Sequence, residues 1–143
     1  MKTYKNLIAV YILFSMLIFS GCKDPAPSPI EERTTLLVNG GSPWALGSVV
    51  KDGFDVTDQF TGFTITFDAT TYATTNSLNT AWAPSGSWTF KGSNPDIMIR
   101  EDGIEVNIAA TANQIVLSFI SAGPIGGRVD GVSGEYVFTL TNL

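Results

Sequence analysis

The sequence predicts an all-β fold, an antiparallel up-and-down meander of about eight short strands preceded by a short N-terminal helix. Two observations lead to this prediction. Apolar and polar residues alternate with a period of two in several short segments, which is typical of half-buried strands. Asp-Gly pairs stand at positions 52–53 and 102–103, and this pair favours tight hairpin turns. A barrel and a sandwich would both satisfy this spacing of strands and turns.

Composition limits the function. All 13 acidic residues lie at or after Asp24, and two of the 8 basic residues, Lys2 and Lys5, lie before Cys22, so the chain from Cys22 onward keeps six basic residues and a net charge of −7. A chain without a Lys/Arg cluster is not expected to bind nucleic acid. There is no histidine, so the commonest general base and neutral metal ligand are missing. We therefore expect no enzyme, no cofactor and no metal site.

Residues 1–21 are predicted to be a lipoprotein signal peptide. Lys2 and Lys5 precede an apolar run over 7–19, which is shorter than the about 20 residues that span a bilayer. The following Phe19-Ser20-Gly21-Cys22 resembles the lipobox of bacterial lipoproteins, which implies that Cys22 carries a diacylglycerol and becomes the new N-terminus. The alternative is an ordinary thiol beside an uncleaved anchor. Because it is the only cysteine, it cannot form an internal disulfide.

Residues 22–31 are predicted to be the lipidated cysteine and a Pro-rich linker. Alternating prolines from Pro25 to Pro29 favour an extended polyproline II conformation. Lys23-Asp24 is similar to the signal that sends some lipoproteins of Gram-negative bacteria to the outer face of the outer membrane, although a solvated linker has the same composition. We expect a lipid-anchored protein of the outer membrane, on its periplasmic face or at the cell surface.

A β-barrel domain is predicted over residues 32–143. Glu31 and Glu32 early in Ile30–Val38, with Gly40 after it, indicate a helix of about two turns, although the two threonines inside this range would also suit a strand. Strands are then predicted at Trp44–Val49, Phe63–Phe67, Thr70–Thr75, Ser87–Phe90, Ile97–Arg100, Ile104–Ile108, Gln114–Ile120 and Tyr136–Leu140. The turn-rich ranges 76–86 and 123–134 are predicted loops.

The strands flanking Asp102-Gly103 give the most specific prediction. A two-residue type I′ turn there sets Arg100 opposite Glu105 and Ile99 opposite Val106. This register places the β-branched apolar residues of both strands on one face, namely Ile97, Ile99, Val106 and Ile108. The other face carries the charged pair, as expected of a sheet with one buried side.

Four segments of this pattern resemble the lipocalin-like domains of small bacterial lipoproteins. They are Trp44–Val49, 63–72, Gly86–Phe90 and the Asp102-Gly103 hairpin. The resemblance extends from about Ser42 to the C-terminus and implies an eight-stranded up-and-down barrel. It implies no activity, because no catalytic residues can be carried over.

Three groups of residues are candidate sites. Six aromatic side chains could line a ligand cup or form a packed core, and a packed core is favoured because barrels of this size are filled by their own side chains; they are Trp44, Phe63, Phe67, Tyr72, Trp88 and Phe90. Asp52, Asp55 and Asp58 could offer oxygen ligands to calcium, but a solvated loop explains them better. Gly123–Arg128 lacks the Lys-Ser/Thr ending of a phosphate-binding loop and is expected to be a turn.

We therefore predict a lipid-anchored cell-envelope lipoprotein with a non-catalytic, lipocalin-like binding or interaction domain. The alternative is a structural or accessory subunit of an outer-membrane protein assembly. The expected partners are the membrane, through the lipid on Cys22, and either a small apolar ligand or an envelope protein.

Overall fold

The computed structural model describes residues 24–78, 81–122 and 133–143. These ranges contain, in chain order, the helix α1 (Pro29–Val38), a 3-10 turn (Asn39–Gly41), β1 (Trp44–Lys51), β2 (Phe54–Asp55), a second 3-10 turn (Thr57–Phe60), β3 (Thr64–Phe67), β4 (Thr71–Thr75), β5 (Ser85–Lys91), β6 (Asn94–Arg100), β7 (Glu105–Ala110), β8 (Gln114–Ser121) and β9 (Gly134–Asn142). Among the described residues, no helix has the length and apolar character needed to cross a membrane.

The strands close into an antiparallel barrel. From β3 to β9 each strand pairs with the next, and β1 pairs with β3 on one side and with β9 on the other. The closing pair runs from Trp44 opposite Asn142 to Lys51 opposite Tyr136. Counting β1 and β3 to β9 gives eight strands, and the two-residue β2 only extends the edge beside β1. The predicted all-β class, an up-and-down barrel with a short helix, is confirmed.

Helix α1 covers one end of the barrel, which we call the helix end. Ser28 and Glu31 form a capping box at its start, with Pro29 in the first turn, so the helix is well defined from its first residue. At its other end Leu37 is fully buried, and its carbonyl accepts a 2.8 Å hydrogen bond from Nε1 of Trp44. The predicted helix is therefore present, and it takes in the last residues of the predicted linker. Residues 24–28 are exposed and have no secondary structure.

The opposite end, which we call the distal end, carries the first Asp-Gly turn. Lys51 pairs with Phe54, and both residues between them have positive φ, 51° for Asp52 and 84° for Gly53. These are the features of a two-residue type I′ hairpin. The turn predicted at this position is confirmed.

The second Asp-Gly turn differs from the prediction by one residue. The observed register sets Ile99 opposite Glu105, and the amide of Arg100 donates to the carbonyl of Ile104. The loop therefore has three residues, 101–103, of which only Gly103 has a positive φ, 82°. The predicted pairing of Arg100 with Glu105 and of Ile99 with Val106 is wrong, because Asp-Gly also fits a three-residue loop that needs positive φ at glycine alone.

This shift reverses the two faces of β6. Strand side chains alternate, so a slip of one residue moves each of them to the other side of the sheet. Met98 and Arg100 are buried inside the barrel, whereas Ile97 and Ile99 are only partly buried, on the outer wall. The predicted inward orientation of Ile97 and Ile99 is therefore wrong, while Val106 on β7 is buried as predicted.

Candidate functional site

The six aromatic residues considered as a ligand cup belong to one packed core. Five of them are at most 4% exposed, and Phe90 is partly buried against them. Trp88 packs edge to face on Phe67 and on Phe90, with ring centroids 6.0 and 5.0 Å apart. Phe63 contacts Phe138 of β9 at 5.3 Å. These contacts fill the space in which a ligand would have to lie.

Trp82 is a core residue that sequence reasoning missed. It belongs to the segment predicted as a loop, yet it is 1% exposed and packs edge to face on Tyr72 and Phe119, at 5.2 and 5.5 Å between ring centroids. A turn closed by bonds from the amides of Ala81 and Trp82 to the carbonyl of Leu78 directs it inward. The one signal for this was the apolar group at positions 81–83, within a segment otherwise rich in turn residues.

Arg100 lies against Trp82 inside the barrel. Its guanidinium carbon is 4.5 Å from the centroid of the Trp82 ring and 5.3 Å from that of Phe119, which places the cation over two aromatic faces. Nη1 donates to the carbonyl of Ala81 at 2.8 Å, and Nη2 forms an ion pair with Asp102. The side chain of Arg100 is 3% exposed and that of Asp102 is 46% exposed, so a buried charge is balanced by a carboxylate at the barrel rim.

Two N–H groups of this cluster have no acceptor. Within the described chain, Nε1 of Trp82 and Nε of Arg100 are buried without a hydrogen-bond partner. Burial is the main cause that raises the pKa of the neighbouring Tyr72, and the nearby charge of Arg100 partly opposes it. If an oxygen acceptor entered the barrel, these two donors are where it would bind.

The three aspartates considered for calcium lie in or beside the turns that follow β1. Oδ1 of Asp52 accepts the amide of Glu135 at 2.8 Å, and the same carboxylate lies 3.2 Å from Nζ of Lys51. Oδ1 of Asp55 accepts the amide of Thr57 at 2.8 Å, and Asp58 lies in the second 3-10 turn. In the ranges that the structure describes, no group of three or more His, Cys, Asp or Glu residues could hold a metal ion.

We expect stability to fall as the pH drops below about 4, with Asp52 contributing to that loss. The Glu135 amide and then Lys51 hold the pKa of Asp52 below its ordinary value of 3.8. A lowered pKa stabilises the fold above the ordinary value, and this contribution is lost as the pH falls through the folded-state pKa. Urea unfolding between pH 6 and 2.5 should therefore show a shallower loss in Asp52→Asn than in wild type or Asp58→Asn. Identical pH profiles for all three would contradict this role.

Two grooves join on the outer wall of β7 and β8. One, of about 480 Å³, begins at Arg33 and Asp96 and is lined by Asn107 and Ser118. The other, of about 330 Å³, is lined by the same Asn107 and Ser118 and ends at Glu105, Ile120 and Glu135. We call the continuous depression the β7–β8 groove.

Two regions singled out by sequence lie outside the described residues. They are Cys22, with the predicted signal peptide before it, and the glycine-rich range Gly123–Arg128. Comparison with known protein families, curated proteins and solved structures finds no match to this chain.

Proposed function

We propose that this protein is a lipid-anchored lipoprotein of the cell envelope whose lipocalin-like barrel is a non-catalytic interaction domain that works through its outer surface. The anchor is supported by the N-terminal sequence, in which an apolar run ends at Phe19-Ser20-Gly21-Cys22. Cys22 would carry the lipid, and the outer membrane, at its periplasmic face or the cell surface, is the proposed location.

The observation that carries the interaction role is the packed interior. Trp44, Phe67 and Phe138 are fully buried inside the barrel, so a small apolar ligand would have to displace aromatic side chains that already contact one another. Pockets that hold small ligands have volumes of about 300 to 1,000 Å³. Depressions of that size lie on the surface of the described chain, namely the two parts of the β7–β8 groove and one of about 650 Å³ beside the second 3-10 turn. Recognition is therefore proposed at the outer wall.

A second candidate is a structural or accessory subunit of an outer-membrane protein assembly. Exposed large apolar side chains favour it: Phe54 is 75% exposed and Ile120 is 72% exposed. Both lie on strands that end at or start from the distal end, away from α1 and the linker. Ile120 also lines the β7–β8 groove, and an exposed apolar side chain within a groove is typical of a protein interface.

The anchor would hold the barrel close to the membrane. From Lys23 to Ser28 the linker has six residues, which span about 20 Å at most in an extended conformation. The capped start of α1 at Pro29 fixes where the ordered domain begins. The helix end is then tethered, while the outer wall stays accessible to partners in the envelope.

Cys22→Ala tests the anchor. In a bacterial host supplied with radiolabelled palmitate, the wild-type protein should be labelled and recovered in the membrane fraction. The variant should be unlabelled, and it should either leave the membrane fraction or persist as uncleaved precursor. Ser28→Ala, which alters the start of α1 without touching Cys22, is the matched control and should be labelled like wild type. Equal labelling of Cys22→Ala and wild type would refute the proposal.

A further inference from the structure

We infer that the β7–β8 groove binds an extended segment of a protein partner that carries Lys or Arg beside apolar side chains. This inference rests on the proposed interaction function and names the partner's chemistry. The groove arises from the cross-strand order of side chains on the outer wall. Asn107 and Ser118 face each other across β7 and β8, with Ile97 beyond Asn107 on β6 and Val137 beyond Ser118 on β9. Asn107 and Ser118 line both parts of the groove, and each has a branched apolar residue as its outer neighbour in the sheet.

The shape of the groove suits an extended chain. It follows β7, whose six residues cover about 20 Å at about 3.3 Å per residue. The outer face of β8 carries Val116, Ser118 and Ile120 in this order, so apolar and polar side chains alternate along the groove. A peptide can match that alternation, because its backbone groups can hydrogen-bond to Asn107 and Ser118 while its side chains contact Val116 and Ile120. An acyl chain would leave the same polar groups unpaired.

Charge at the distal end of the groove selects a basic partner. Ile120, 72% exposed, lies opposite Glu135 on β9, and Glu105 lines the same groove from β7. Lys91 pairs with Glu105 at 2.7 Å, but both side chains are about half exposed, and such surface pairs are worth at most about 1 kcal/mol. Within the described residues the Glu135 carboxylate has no ion pair. An incoming Lys or Arg can therefore pair with either carboxylate while its neighbour covers Ile120.

The same charges disfavour other occupants. Two copies packed groove to groove with their distal ends together would bring their Glu105 and Glu135 carboxylates together, and in any orientation two copies of the same net negative charge repel each other. A bilayer surface with anionic headgroups would likewise be repelled. The chain from Cys22 onward has a net charge of −7, so its long-range field also attracts a basic partner.

The test uses the purified full-length protein and a fluorescently labelled acetyl-Lys-Ile-Lys-Ile-Lys-amide peptide, with binding followed by anisotropy. Glu135→Lys and Ile120→Asp should each weaken binding by about tenfold or more. Two matched controls make the same chemical changes outside the groove: Glu32→Lys on α1 and Leu143→Asp after β9, both at exposed positions. They should leave affinity within about twofold of wild type. Circular dichroism checks that all four variants fold.

The peptide sequence separates the alternatives. Peptides in which Ser replaces Ile, or Glu replaces Lys, should bind about tenfold more weakly or not at all. Equal binding of the Lys-Ser peptide, or equal weakening by Glu32→Lys, would mean that net charge alone attracts the peptide, and would overturn the inference. Sedimentation of wild type as a dimer that Ile120→Asp dissociates would assign the groove to a second copy and also overturn it.

This experiment is independent of the lipid anchor. Peptide binding is measured on purified protein. If the peptide does not bind but Cys22→Ala abolishes palmitate labelling, the groove proposal is rejected and the anchor proposal is supported. If labelling does not depend on Cys22 while the peptide binds as expected, the anchor is rejected and the groove remains.

Discussion

Replacing Trp82 with alanine is expected to lower the free energy of unfolding by about 4 kcal/mol. The side chain is 1% exposed, its ring contacts Tyr72 and Phe119, and the guanidinium of Arg100 lies 4.5 Å above it. Alanine removes these contacts and leaves a cavity in a core that can collapse only in part. Urea unfolding followed by circular dichroism measures the loss. A loss below about 1.5 kcal/mol would contradict the placement of Trp82 in the core.

Replacing Trp82 with phenylalanine keeps an aromatic ring at this position but removes the N–H group. It therefore separates the contribution of the ring to stability from that of the N–H group. Because Nε1 of Trp82 has no acceptor, Trp82→Phe should cost only about 1 kcal/mol. Trp44 is the matched control, since it is equally buried but donates from Nε1 to the carbonyl of Leu37 at 2.8 Å. Trp44→Phe leaves that carbonyl unpaired and should cost about 1 to 2 kcal/mol more than Trp82→Phe. Equal losses would show that the Trp44 hydrogen bond contributes no net stability.

Local patterns were sufficient to predict most of the barrel. The alternation over 63–67 gives the buried Phe63, Ile65 and Phe67, and an isolated period of two has no competing helical interpretation. Asp52-Gly53 forms the turn that its sequence favours. The position of α1 follows equally from its first-turn acids, because capping and the helix dipole act within a few residues.

The register at Asp102 could not be predicted locally. Asp-Gly fits a two-residue loop and a three-residue loop, and the observed loop is accompanied by an ion pair at the barrel rim that the local pattern does not reveal. The Asp102 carboxylate accepts from the amide of Ile104 and pairs with Arg100, which requires Arg100 to face inward. A sequence argument that assigns arginine to the solvent-exposed face of the sheet by default therefore selects the wrong register.

The sites depend even more on tertiary structure. Trp82 reaches the core because the turn before it is closed by hydrogen bonds to the carbonyl of Leu78. The turn residues around Trp82 interrupt the apolar alternation, so hydrophobic periodicity does not predict its burial. The β7–β8 groove combines side chains from α1 and four strands, such as Arg33, Asn107 and Glu135. None of these residues stands out in its own segment, and the pairing of β6 to β9 together with the packing of α1 brings them to one surface.

Asp102→Asn is expected to lower the free energy of unfolding by about 2 kcal/mol, because it leaves the buried guanidinium of Arg100 without its counter-ion. The asparagine keeps an oxygen that can accept from the amide of Ile104. The loss of stability therefore measures the contribution of the carboxylate charge. The half-exposed pair of Lys91 and Glu105 is the control, and Glu105→Gln should change stability by less than about 0.5 kcal/mol.

The decisive measurement is a double-mutant cycle on the buried pair. Arg100→Met removes the cation with little change in volume and leaves Asp102 free to be hydrated at the rim, where it is 46% exposed. In that background Asp102→Asn should cost less than about 0.5 kcal/mol, so the coupling between the two sites should be about 1.5 kcal/mol or more. Additive losses would mean that Asp102 acts only as a turn residue. A large coupling would instead show that the ion pair stabilises the fold in which Arg100 faces inward, an energy that the two-residue alternative would lose because it turns Arg100 to solvent.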